Sequence, residues 1–170
     1  MHESSDQFLK LSSSFLLREF LPRLRFAVER LSDEQIWWRP NEASNSIGNL
    51  ILHLCGNVSQ WILGGVAGQP VTRHRQQEFD ERRQIPRDEL LERLSGVVTS
   101  ACAVLEKLDP AVLGERRTIQ GMDVTVMYAV YHVVEHFSMH TGQILMLTKM
   151  ITAEDLKLYE FPGGTAVRRW

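Results

Sequence analysis

The sequence predicts an all-α protein, a four-helix bundle, and three observations carry that prediction. Strand-type alternation is nearly absent. Apolar residues recur at helical spacing in four long segments, and the longest connection between those segments is polar and punctuated by glycine and proline. The 170 residues suit one domain spanning 1–170, large enough to bury a core without disulfides.

The first helix is expected at about 6–31. Phe8, Leu11, Phe15, Leu16, Phe20, Leu24, Ala27 and Leu31 mark its apolar stripe, and Pro22 should kink or divide it. Ser32-Asp33-Glu34 and Arg39-Pro40-Asn41 then mark a connecting segment, in which Trp37 or Trp38 caps one end of the core. A second helix is expected at about 45–64, N-capped by Asn45 or Ser46 and stopped by Gly64-Gly65. Residues 66–85 read as a long connection. Arg73, Arg75, Arg82, Arg83 and Arg87 are interleaved there and just beyond with Glu78, Asp80, Glu81, Asp88 and Glu89, the pattern of a solvated mixed-charge linker. The third helix, about 86–108, starts at Pro86 as N1 with Asp88 and Glu89 against the helix dipole, and it ends before Asp109-Pro110. Gly114 to Asp123 fits a short hairpin or an irregular crossing. The fourth and most apolar helix covers about 123–151, and a tail at 152–170 lies over the outside. The unequal connections allow a crossover.

Composition and charge exclude several classes. Hydrophobic residues at 44% and charged residues at 24% are globular rather than disordered values. A net charge of -2 offers no footprint for nucleic acid. No run of 18 apolar residues suggests a membrane span, and the start lacks the pattern of a secretory signal, so a cytoplasmic protein is expected. Cys55 and Cys102 form no Cys-x-x-Cys unit and read as core residues.

The chemistry concentrates in two helices. Tyr131-His132-Val133-Val134-Glu135-His136-Phe137-Ser138-Met139-His140 places imidazoles at 132, 136 and 140. Each four-residue step turns an α-helix by only about 40°, so the three rings fall on one stripe, with Tyr128, Glu135, Met139 and Gln143 on or near it. In the second helix Asn49, His53, Asn57 and Gln60 occupy one stripe by the same rotation. Two histidines at i and i+4 with a third from a facing helix give the three-ligand set of a catalytic zinc site without backbone strain. That reading uses His136, His140 and His53. A competing one takes His132-Val133-Val134-Glu135-His136 as H-x-x-E-H, a zinc-protease signature with Glu135 as general base. Taken singly, each histidine is more often an ordinary core or surface residue, and His2 and His74 are assigned no role.

Asn45-Ser46-Ile47-Gly48-Asn49-Leu50 with His53-Leu54-Cys55-Gly56-Asn57 resembles the second-helix pattern of the DinB-like (YfiT-like) superfamily. Glu135-His136-Phe137 with His140-Thr141-Gly142-Gln143-Ile144 resembles its fourth-helix pattern, and Trp37-Trp38-Arg39-Pro40 and Arg73 to Phe79 resemble one uncharacterised branch. The resemblance implies a bundle of up-down-down-up topology, often a homodimer. It also implies a divalent metal, usually nickel or zinc, on the residues matching His53, His136 and His140. Relatives include transferases that use a low-molecular-weight thiol and a maleylpyruvate isomerase. His132 stands one turn before the usual pair, which leaves open whether it joins the ligands.

The expected function is therefore a divalent-metal-dependent enzyme acting on a small molecule, a thiol-dependent S-transferase or a hydrolase. Nickel or zinc is the expected ion, with iron or manganese as alternatives. Glu135 and His132 are the candidates to take a proton, and Asn49, Asn57, Gln143 and Tyr128 the candidates to orient ligand atoms. The alternative is a non-catalytic bundle whose metal is structural or sensory. Cys55 lies about 200° of helix rotation from His53 and faces away from the site.

Overall fold

The computed structural model describes residues 2–170 and is mostly helical. Helix α1 runs over His2–Ser14, widens into a π-helical turn over Phe15–Phe20 and resumes over Leu21–Val28. Pro22 explains the widening. Its ring would clash with a carbonyl four residues back in a regular α-helix, and the π turn relieves that clash by bonding Leu21 N–H to Leu16 O, five residues back. Pro22 thus neither breaks nor divides the helix.

The connection after α1 holds a short helix, α2, at Asp33–Trp37, which the apolar periodicity does not reveal. Its signal is the capping box Ser32-x-x-Gln35, with Gln35 N–H donating to Ser32 Oγ and Ser32 N–H to Gln35 Oε1. Trp37 packs flat over Gly48, where a Cβ would come within 2.8 Å of the indole, and its Nε1 donates to Ile85 O at 3.0 Å. Trp38 is exposed.

Helix α3 covers Ile47–Val58 and continues as a π-helical stretch over Ser59–Val66. Its N-cap is Ser46, with Asn49 closing a second capping box. Gly64-Gly65 does not stop it. Gly65 instead admits Ile119, whose side chain occupies the space a Cβ would need. Residues 67–86 carry the short helix α4 at Arg75–Asp80 and lie across α3 as a strap. Helix α5 spans Arg87–Lys107, with Pro86 at the N-cap position rather than at N1. Residues 114–125 settle as a hairpin, β1 (Arg116–Ile119) against β2 (Met122–Thr125), turning through Gln120 and Gly121 at positive φ. Helix α6, Val126–Thr152, is capped by Thr125 and ends at Ala153 in the left-handed conformation. The tail forms a two-residue pair, β3 (Tyr159–Glu160) with β4 (Val167–Arg168). It lies on α1 through an Arg168–Glu19 ion pair and through Arg23 against the Trp170 ring.

Helices α1 and α3 each pack against both α5 and α6, and all four share one core. Leu16, Leu24, Ile51, Trp61, Leu90 and Phe137 are among its largest fully enclosed groups, drawn from all four. Among the described residues no helix is long and apolar enough to cross a membrane.

Candidate metal centre

The local sequence of α3 aims its polar stripe inward. With Ser46 as cap, Asn49, His53 and Asn57 recur at i+4 and all lie buried in a helix otherwise lined with Ile, Leu and Val. From α6 come His136 and His140, one turn apart. His140 is buried and His136 half-buried. The ligating atoms of His53, His136 and His140 lie within 4.8 Å of one another, and among the described residues no other His, Cys, Asp or Glu group converges in this way.

The nitrogens face each other directly. His53 Nε2 is 2.8 Å from His136 Nε2, and His140 Nε2 is 3.1 Å from the same atom. The rings meet edge to face, at 66° for His53 with His136 and 83° for His136 with His140. The far sides of two rings decide what these nitrogens carry. His53 Nδ1 lies 2.9 Å from Glu78 Oε2 and 3.1 Å from Arg73 Nη2. Nη2 donates to Oε2 at 2.7 Å, the carboxylate only accepts, and the shorter of the two contacts at the ring puts the proton on Nδ1. His140 Nδ1 donates to Gln143 Oε1 at 2.7 Å. In the neutral rings both Nε2 atoms therefore present lone pairs to the centre. Burial and the neighbouring imidazoles push the His136 ring down to about 3, and burial likewise lowers His132 and His140, whose contact with Gln143 opposes the shift. His136 Nε2 faces the Nε2 atoms of both His53 and His140 and can donate a proton to at most one of them, so the metal-free trio is left with a lone pair unsatisfied. Around one divalent ion, with Zn–N bonds of about 2.0–2.1 Å, ligand nitrogens stand roughly 3 Å apart, so the donor set fits a metal.

Behind His53 stands a group that sequence reading placed in a solvated linker. Arg73 donates from Nε to Glu78 Oε1 at 2.6 Å and from Nη2 to Glu78 Oε2 at 2.7 Å, and its Nη1 reaches Gln60 Oε1 at 2.9 Å. Both charged side chains are largely enclosed, at 5% and 12% exposure. Burial would raise the Glu78 carboxyl, but the bonds to Arg73 and His53 outweigh it and hold the carboxyl below its ordinary range. Phe79 covers the His53 ring at 4.7 Å between centroids. Gly56 makes room for the pair, since a Cβ there would overlap Glu78 Oε1 and lie 2.7 Å from Arg73 Nε. The mixed-charge pattern hid these two residues, and only the likeness of Arg73 to Phe79 to one family branch pointed toward them. Arg82 and Arg83 are exposed, as a solvated linker predicts.

The remaining candidates divide. Asn49 does not reach the histidines. It closes the α3 cap and donates from Nδ2 to Glu78 O at 2.9 Å and Glu81 O at 3.2 Å, tying the strap down. Gln143 orients His140. His132 stays outside the trio, with its Nε2 3.2 Å from Asn57 Nδ2 and its ring between Trp61, at 4.2 Å, and His136, at 5.2 Å. Tyr128 stacks at 6.3 Å on the other end of His132 and is half exposed. Glu135 is exposed and lines a shallow groove with Phe15, Phe20, Tyr131 and Met139. One residue of helix is about 100° of rotation, which turns Glu135 off the stripe that carries His136. The H-x-x-E-H constellation is therefore not assembled around a common point. Cys55 is buried away from the trio, its thiol pushed up to about 12 by burial. His74 is exposed, and the His2 side chain lies outside the described residues.

The family model described as "Protein of unknown function (DUF1572)" matches residues 5–165, and the chain belongs to that family. No curated protein shows a significant match to the chain.

Proposed function

We propose that this family member is a divalent-metal-dependent enzyme whose ion is held by His53, His136 and His140, acting on a small molecule as a thiol-dependent S-transferase or a hydrolase. The observation that supports it is the convergence of three imidazole Nε2 atoms at 2.8 and 3.1 Å, two of them held as lone pairs by Glu78 and Gln143. When bound, the ion supplies Lewis acidity that lowers the pKa of a coordinated water or substrate thiol. His132, held against the trio by Asn57 and Trp61, is the side chain placed to accept a proton beside it. Glu135 acts on His132 and His140 through its charge. With three protein ligands the donor set leaves coordination positions for substrate, and nickel or zinc, then iron or manganese, are the ions to expect.

The four long helices and the strap that links α3 to α5 agree with an up-down-down-up bundle of the DinB-like kind. Met139, Met146 and Met150 stand exposed along one stripe of α6, which supports a homodimer formed through that face.

A second reading gives the ion a structural or sensing role, because His53 and His140 are almost fully enclosed and the ion would staple α3 to α6. Mass spectrometry of untagged protein purified without chelator tests both readings, with near-stoichiometric divalent metal expected. Azide or an added thiol should then shift the visible spectrum of cobalt-substituted protein if the site is open. An unmoved spectrum would leave the staple, and protein that refuses all divalent ions would sink both.

A further inference from the structure

The strap does more than cover the site. Four independent features bring one carboxylate to the outer edge of His53. Asn49 anchors the backbone of Glu78 and Glu81, and Trp37 Nε1 anchors Ile85 O at the far end of the strap. Gly56 leaves the vacant volume in which the carboxylate sits. Arg73 grips both oxygens and is itself held by Gln60, which also accepts from Gln120 of the hairpin. A surface ion pair needs none of this. A buried pair costs desolvation unless its remaining sites are satisfied, and here one carboxylate oxygen takes both Arg73 Nη2 and His53 Nδ1.

We infer that Arg73 and Glu78 are a positioning pair for metal binding: Glu78 fixes His53 as the Nδ1–H tautomer with Nε2 free to ligate, and Arg73 keeps that carboxylate aimed. This rests on the metal-binding reading above for its function, though not for its geometry. A carboxylate behind a ligating imidazole fixes the ring's orientation and raises its basicity, and loss of such a partner typically costs about 10–100-fold in metal affinity. Arg73 adds a constraint. With its fork engaged, the carboxylate is held in one orientation, with Oε2 toward His53 Nδ1. The pair carries no net charge, so it orients His53 without changing the total charge around the ion. Neither residue touches the converging nitrogens, and both act through His53.

Full-length wild type, Glu78→Gln, Glu78→Ala, Arg73→Lys and Gly56→Ala proteins test this. Two readouts are needed: zinc and cobalt affinity by chelator competition, and the tautomer of His53 in metal-free protein from imidazole nitrogen NMR shifts. Wild type should show Nδ1–H at His53. Glu78→Ala should lose that preference and bind zinc 10–100-fold more weakly, with Gly56→Ala following in the same direction because it displaces the pair without altering its chemistry. Arg73→Lys, which keeps the charge but not the fork, should lose less. Circular dichroism identifies any variant that fails to fold, and the remaining variants then decide. Folded Glu78→Ala and Gly56→Ala proteins that keep the wild-type tautomer, and zinc affinity within about twofold, would overturn the inference and make the pair purely structural. Wild type that binds neither metal would overturn the metal reading instead, while the tautomer still reports whether Glu78 positions His53.

Discussion

The two walls of the candidate centre were built by different rules. On one side α6 presents His136 and His140 from consecutive turns of a regular helix, where a fixed rotation per residue sets the geometry. On the other side the support for His53 comes from a strap with one six-residue helix and otherwise irregular backbone, held by side-chain bonds from Asn49, Trp37 and Arg73. The comparison teaches that the candidate ligands are placed by periodic structure and the orientation of His53 by aperiodic structure. The first is robust to changes nearby. The second depends on a few individual contacts.

Removing ligands from the regular wall should have the largest effect. A His136→Ala/His140→Ala protein is expected to lose bound divalent metal to background while still folding, because the substitutions also remove ring nitrogens whose facing lone pairs one His136 proton cannot all satisfy. Metal content and far-UV circular dichroism on the same preparation check this, and retained stoichiometric metal would break the assignment of that wall.

Loosening the strap should cost less, and should fall on stability before binding. Asn49→Ala removes half of the α3 capping box and both anchors to the backbone of Glu78 and Glu81. A loss of about 1–3 kcal/mol in unfolding free energy is expected from the cap and the buried bonds together. Hydrogen exchange should rise in residues 75–86 more than in α6. Equal increases in both regions would show that the strap and the helical core unfold as one unit.

Gly48→Ala probes the same strap from its other anchor. The new methyl would stand 2.8–2.9 Å from three atoms of the Trp37 indole, a rigid ring that cannot fold away. Displacing it strains the Trp37 Nε1 bond to Ile85 O, for an expected cost of about 1–2 kcal/mol measured by denaturant titration. Gly142→Ala, where a Cβ meets nothing within 4 Å, is the matched control and should be neutral or slightly stabilising.

The same division governs what could be read from the sequence. The four long helices follow from apolar spacing, and the trio follows from helical phase once α3 and α6 face each other. Helix α2 escaped because five residues are too few for periodicity, although Ser32-x-x-Gln35 spelled its cap. Gly64-Gly65 was misleading because glycine has two uses, and here Gly65 serves close packing by Ile119 rather than helix termination. Arg73 and Glu78 were indistinguishable from their exposed neighbours, since burial of an ion pair is decided by tertiary contacts such as the gap at Gly56. Glu135 was drawn toward the site by its place beside His136 in sequence, and one residue of rotation carries it into a different groove.

The smallest effect expected is a pH dependence of the metal-free protein, and it follows from the regular wall. Burial and the surrounding imidazoles hold the His136 ring neutral down to about 3, against an ordinary 6.5, and His132 and His140 are lowered in the same direction. Between those limits the unfolded chain binds protons that the folded chain does not. The stability contribution is therefore complete above about pH 6.5 and is lost as the pH falls toward 3. Water still reaches much of the His136 ring, so screening keeps the effect modest. Thermal midpoints of metal-free wild type should fall on acidification across this window, and those of His136→Ala should fall less. Saturating zinc should steepen the wild-type dependence, because the loaded fold must exclude protons from all three nitrogens at once. Identical slopes for metal-free wild type and His136→Ala would mean that the ring titrates freely in the folded protein. The converging lone pairs would then be a feature of one protonation state rather than of the fold.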